Sequence, residues 1–104
     1  MLDLVAERAS QVAELCRRFD VARLEVFGSA SHGRGFDPAR SDVDLLVEFK
    51  SPAAGFRNFM DLRDELQALL GRPVDLVDRG AVEQSRNHIR RRSILRDAEL
   101  LYAA

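Results

Sequence analysis

An excess of charge of one sign is absent from this sequence: 16 basic residues stand against 17 acidic ones, for a formal net charge of −1. The molecule therefore lacks the positive field of a bulk nucleic-acid binder, and any contact with nucleic acid has to be local. No apolar run approaches the roughly 20 residues needed to span a bilayer, so a soluble protein without a membrane partner is expected. A second cysteine is missing too. Cys16 is the only one and has no intramolecular disulfide partner, while Met1 to Ser10 carry acids and an arginine where a secretory leader has an apolar core. Cytoplasmic residence follows as an expectation. Lysine is nearly absent, Lys50 standing beside 15 arginines, which a GC-rich coding sequence explains as readily as selection for phosphate-binding forks. The length of 104 residues, at roughly 100 to 200 per domain, allows one compact domain over 1–104 and excludes a large multidomain enzyme.

Hydrophobic residues make up 46% of the chain and charged residues 32%, enough for one core and too apolar for a solvated segment without structure. Val5, Ala9, Val12, Cys16 and Phe19 hold one face of an α-helix. Leu24 and Val26 alternate with Arg23 and Glu25 in Arg23 to Phe27, a strand that runs into a tight turn at Gly28-Ser29. A short helical turn after Ser29 and then a loop fit the Gly-, Ser- and Pro-containing stretch up to Arg40, where Asp37-Pro38 favours a turn. Asp42 to Phe49 puts Val43, Leu45, Val47 and Phe49 on one strand face and Asp42, Asp44, Leu46 and Glu48 on the other. Lys50 to Gly55 reads as a connection. Phe59, Leu62, Leu66 and Leu69 then mark a helix that Gly71 and Pro73 end. Val74 to Val77 is a third strand, with Asp75 pointing away from Val74 and Leu76. Val82 to Asp97 is helix-compatible, and Ala98 to Tyr102 is either a last strand or a docking segment. With no internal repeat, the order helix, strand, short helix, strand, helix, strand, helix predicts an α/β or α+β domain.

The chemistry concentrates in Gly28-Ser29 and in Asp42-Val43-Asp44, which opens the next strand after a gap of twelve residues. Glycine lets a ligand approach the backbone, and Ser29 at a helix start offers a hydroxyl and free N–H groups to an anion, as a phosphate seat requires. Asp42 and Asp44, about 7 Å apart at Cα by strand rise, present two hard oxygen ligands suited to Mg²⁺. A like-charged pair at the head of an apolar strand raises one pKa and calls for a compensating cation. If Asp75 lies on a neighbouring strand, it completes three carboxylates able to hold one or two metals and to support in-line displacement at phosphorus, as a metal ligand or a general base.

Phe27-Gly28-Ser29, the run Ser41-Asp42-Val43-Asp44-Leu45-Leu46-Val47-Glu48-Phe49, and Gly71-Arg72-Pro73-Val74-Asp75-Leu76-Val77 resemble the minimal nucleotidyltransferase family of the DNA polymerase β superfamily, over nearly the whole chain. The resemblance implies a single nucleotidyltransferase domain with a mixed β-sheet flanked by helices, binding Mg²⁺ and ATP. It implies phosphate contacts at Gly28 and Ser29, metal ligands at Asp42 and Asp44, and Asp75 in the third carboxylate position. The family's GS-x-A-R-G segment has arginine before its glycine. Here His32 precedes Gly33, so either Arg34 reaches back to the nucleotide instead or nucleotide affinity is weakened. Members commonly serve as antitoxins beside a helical HEPN toxin, and some silence it by transferring AMP to a tyrosine. The expected function is therefore Mg²⁺-dependent transfer of AMP from ATP to a hydroxyl of a HEPN toxin, tyrosine being the expected acceptor and nucleic acid not a direct substrate. The alternative is a catalytically idle antitoxin of the same fold that masks its toxin by binding. Transfer to a small molecule ranks last, because the chain has little room for an added acceptor-binding domain.

Other residues have blander readings. His32 reads as an exposed loop histidine before it reads as a phosphate contact. Cys16 belongs to the apolar stripe, and Tyr102 to packing. Arg86, Arg90, Arg91, Arg92 and Arg96, with His88, form a basic stretch with four-residue spacings along a helix. It is a solvated surface, a docking face for an acidic partner, a nucleotide-phosphate contact or a weak attraction for RNA, the partner face ranking first among the functional readings.

Overall fold

The computed structural model describes residues 3–28 and 42–104. Its centre is a pair of antiparallel strands, β1 (Val21–Phe27) and β2 (Val43–Phe49), with Leu24 opposite Val47 and Phe27 opposite Asp44. A third strand, β3 (Val74–Asp78), joins β2 in parallel with Asp44 opposite Asp75, and β4 (Glu99–Ala103) runs antiparallel along the free side of β1. The order β3-β2-β1-β4 makes a four-stranded mixed sheet, the fold class anticipated. The apolar tail is thus a strand rather than a docking segment, held also by the Ala104 N–H donating to the Ala22 carbonyl at 2.9 Å.

The alternation along β2 creates two cores. Val43, Leu45 and Val47 face the larger one, which takes Val5 from α1 (Asp3–Glu7), Val12 and Cys16 from α2 (Ala9–Arg18), and Leu62, Leu66 and Leu70 from α3 (Pro52–Leu70). Leu46 points the other way and is buried with Phe27, Val82 of α4 (Arg79–Glu83) and Ile94 of α5 (His88–Asp97). An aliphatic residue on the face that also carries Asp44 is therefore the mark of a second covering layer. Fully burying one leucine contributes on the order of 2 kcal/mol. Among the described residues no helix is long and apolar enough to cross a membrane.

Three element boundaries differ from the sequence expectation. The first helix is two, broken at Arg8 (φ −100°, ψ 8°), although Val5, Val12 and Cys16 remain on one buried face. The supposed connection over Lys50 to Gly55 is mostly the start of α3: extended Ser51 accepts from the Ala54 N–H at 3.1 Å, and Pro52 follows in the first turn. A serine cap and a proline at the first helical position outweigh the single Gly55 inside the helix. Gly71 ends α3 in the left-handed conformation (φ 66°, ψ 28°) and donates its N–H to Gln67, the termination expected. The last helical stretch is divided into α4, capped by the Asp78 side chain on the Ala81 N–H at 3.1 Å, and α5. Between them Ser85 accepts from the Asn87 N–H at 3.2 Å, a local bond that competes with helix continuation.

Ser51→Ala should lower stability by about 1 kcal/mol through loss of the cap, while Ser51→Asp should retain it; urea unfolding midpoints of the two variants check this.

Candidate active site

The parallel register of β2 and β3 places Asp44 and Asp75 side by side, on strands about 4.8 Å apart. Three local features hold that register at its start. The Val43 N–H donates to the Pro73 carbonyl at 3.0 Å, the Val74 N–H donates to the Gln67 side-chain oxygen at 3.1 Å, and the left-handed turn at Gly71 aims the chain from α3 into β3. Asp42 lies just before β2 and is exposed, Asp44 is half-buried, and Asp75 is exposed. The expectation that Asp75 sits on a strand neighbouring the Asp42/Asp44 pair is met.

Gly28 closes the row from the β1 side. It has φ +69°, and a Cβ there would overlap the Asp44 carboxylate oxygen Oδ2 and lie 3.4 Å from its Cγ. Glycine is thus required twice, for the left-handed backbone and for the close approach to Asp44. In place of the ligand approach expected at this glycine, the neighbour within reach is one of the site's own carboxylates. Ser29, His32 and Arg34 lie outside the described residues.

The electrostatics tie the acids into one unit. Burial pushes the Asp44 carboxyl up to about 6, with the negative charge of Asp75 and then of Asp42 adding to it. No cluster of three or more histidine, cysteine or acidic side chains forms a ready metal cage among the described residues. What the fold supplies is a half-buried carboxylate flanked by two others, all hard oxygen donors. This is the donor set that suits Mg²⁺, and a cation there would offset the like-charge repulsion felt by Asp44.

Two further findings concern charge. Cys16 is buried, its thiol pushed up to about 12 by that burial, and it belongs to the core as read. The basic stretch is carried by α5 and the residue pair before it. Arg86, Arg92 and Arg96 are exposed, whereas Arg91 is half-buried and donates through Nη1 to the Glu83 carbonyl at 3.2 Å. The side chains of His88 and Arg90 lie outside the described residues. Arg79 escaped the sequence argument. Its guanidinium binds Glu25, which is only 5% exposed, and also reaches Glu83 at 2.9 Å and Glu48 at 4.0 Å. An acid inside the apolar strand Val21–Phe27 was the available signal, since a buried carboxylate needs a cation.

Comparison with known proteins sharpens the picture. The nucleotidyltransferase domain family matches residues 9–101. A protein adenylyltransferase MntA from Thermococcus cleftensis is 41% identical over 70 residues, 67% of this chain and 68% of that protein. A solved structure of a minimal nucleotidyltransferase is 32% identical with a TM-score of 0.73, covering 94% of this chain and 95% of that one. A chain from a complex of tri-AMPylated Shewanella oneidensis HEPN toxin with MNT antitoxin shares the fold at 18% identity and a TM-score of 0.59, over 96% of this chain and 73% of that one.

Because Asp44 has a folded pKa of about 6 against a reference of 3.8, the folded state binds the proton more tightly between those values. Stability should accordingly fall as pH rises through that window. Asp44→Asn removes the effect: at pH 7.5 the variant should be more stable than wild type by about 1 kcal/mol, allowing for solvent screening of a half-exposed group, with the difference vanishing near pH 4. Paired thermal or urea unfolding across pH 4–7.5 measures it. Gly28→Ala should cost at least about 1–3 kcal/mol by the same assay, from a strained left-handed residue pressed on Asp44.

Proposed function

Because the chain belongs to the nucleotidyltransferase domain family, in its minimal form, and is a nucleotidyltransferase, we propose that it moves AMP from ATP to a hydroxyl of a partner protein. We propose further that this partner is a HEPN toxin, that tyrosine is the acceptor, and that the chain thereby acts as an antitoxin. The observation that carries the reading is the gathering of Gly28, Asp42, Asp44 and Asp75 at one end of the sheet, with Asp44 driven toward neutrality by its burial and then by its acidic neighbours. The Thermococcus relative, whose name states protein adenylyl transfer, supports the acceptor class.

Asp42 and Asp44 would hold Mg²⁺, with Asp75 beside them as third ligand or as base. Magnesium, when bound, supplies charge neutralisation of the triphosphate and polarisation of the α-phosphorus. Gly28, whose missing side chain makes room for the Asp44 carboxylate, and with it Ser29 and Arg34, are assigned to the phosphates from the family pattern. The acceptor oxygen forms a bond to the α-phosphorus as the bond from that phosphorus to the bridging oxygen of the β-phosphate breaks. Pyrophosphate leaves with the electron pair, and the hydroxyl proton passes to the Asp75 carboxylate. Residues 1–104 act as one domain in this scheme, and the buried, unpaired Cys16 suits a reducing compartment such as the cytoplasm.

Calorimetric titration with ATP, with and without Mg²⁺, on wild type and on the double variant Asp42→Asn/Asp44→Asn is the test. Magnesium-dependent binding lost in the variant is expected. Asp75→Asn should lower AMP transfer to a co-purified HEPN partner by about 10²–10⁴ if it is the base. Full transfer by Asp42→Asn and by Asp44→Asn would overturn the reading. Toxin inhibition that persists in both without any transfer would replace it with neutralisation by binding alone.

A further inference from the structure

A cavity of about 150 Å³ lies between β3, α4 and α5, lined by Val77, Ala81, Val82, Ser85, Arg91 and Ile94. Nothing in the transfer scheme above uses it. Its position is nonetheless tied to the acids. Val77 packs with Phe27 and Leu46 on the second core, so alternation along β3 puts Asp75, two residues earlier, on the same sheet face about 7 Å away. One wall of the hollow, Val77, is thus the next residue on that strand face after Asp75.

Its walls are selective. Val77, Ala81, Val82 and Ile94 are apolar, and the two polar groups are both anchored: Ser85 accepts from the Asn87 N–H at 3.2 Å, and Arg91 donates to the Glu83 carbonyl at 3.2 Å. A half-open hollow of about 150 Å³ has room for a single benzene-sized ring, and a guanidinium on its wall favours the face of an aromatic ring. A purine is larger than the benzene-sized ring that such a volume takes.

We propose that this cavity receives the phenol ring of the acceptor tyrosine, lying along β3 beside Arg91 so that its hydroxyl emerges at Asp75. The inference rests on the reading of the chain as a transferase to a protein hydroxyl and adds what that reading lacks, a physical reason for tyrosine. Serine or threonine would carry a hydroxyl to the acids but leave the cavity empty, forfeiting the apolar contact that orients the nucleophile.

The test uses the whole chain and 4-fluorophenol as probe, read by ¹⁹F line broadening. Wild type should broaden the line, N-acetyltyrosinamide should reverse the broadening, and N-acetylserinamide and adenosine should not. Ala81→Leu, which fills the hollow from α4, should weaken the probe at least tenfold while magnesium-dependent ATP binding by calorimetry stays at the wild-type level. Val77→Leu serves as a second filling variant should Ala81→Leu fail to fold by circular dichroism. Unchanged broadening in the folded filling variant overturns the proposal, as does displacement of the probe by adenosine, which would make the hollow a nucleobase seat. Probe binding that behaves as expected in a protein without magnesium-dependent ATP binding would support the ring site and overturn the transferase reading, so the two failures are separable.

Discussion

The parallel pairing of β2 with β3 is the constraint on which the site depends. Its register puts Asp44 beside Asp75 and Val43 beside Val74. A slip of one residue would turn Asp75 into the larger core and Leu76 out of it, because side chains alternate. The slip is opposed from both faces. Val43, Leu45 and Val47 are sealed under the helices of the larger core and Leu46 under α4 and α5, so a shift of β2 would expose apolar side chains on either face. Covering both faces of the central strand therefore fixes the spacing of the acids as much as it stabilises the sheet.

Asp44 is where the two demands on β2 conflict. Burial suits a strand, and ionisation suits a metal ligand, yet a half-buried carboxylate with two like neighbours is pulled toward its neutral form. The native state holds this local cost against the apolar packing a few ångströms away, a familiar distribution of strain between a functional site and its scaffold. Gly28 expresses the same economy of space: the Asp44 carboxylate occupies the volume a side chain would need.

Much of this was legible in the chain. Period-two patterns marked β1, β2 and β3, period-3.6 patterns marked the buried faces of α2 and the latter part of α3, and Gly71 marked a helix end. The three aspartates stood out because acids interrupt apolar strands. What stayed hidden was set by partners distant in sequence. Pairing with β1 decides that Glu99–Ala103 is a strand, and no local periodicity distinguishes that from a docking tail. Leu46 looked like an irregularity on a polar face until α4 and α5 supplied its cover. Ser51-Pro52 carries a readable helix-start signal, a cap followed by proline at the first helical position. Arg79 was invisible as a partner of Glu25, which lies 54 residues away.

One guanidinium serves a buried carboxylate on β1 and exposed carboxylates on β2 and α4, so the relationship is unequal. Glu48 and Glu83 can each be replaced while Arg79 keeps its main partner, and their effects should fail to add because they share one cation. Arg79 and Glu25 have less latitude: without Arg79 the buried Glu25 falls back on the half-exposed Arg23 at 3.1 Å, and without Glu25 the guanidinium falls back on the two outer, half-solvated acids. Sequence drift should thus be freer at the two outer acids than at the buried one, where Arg23, Glu25 and Arg79 change as a group of three.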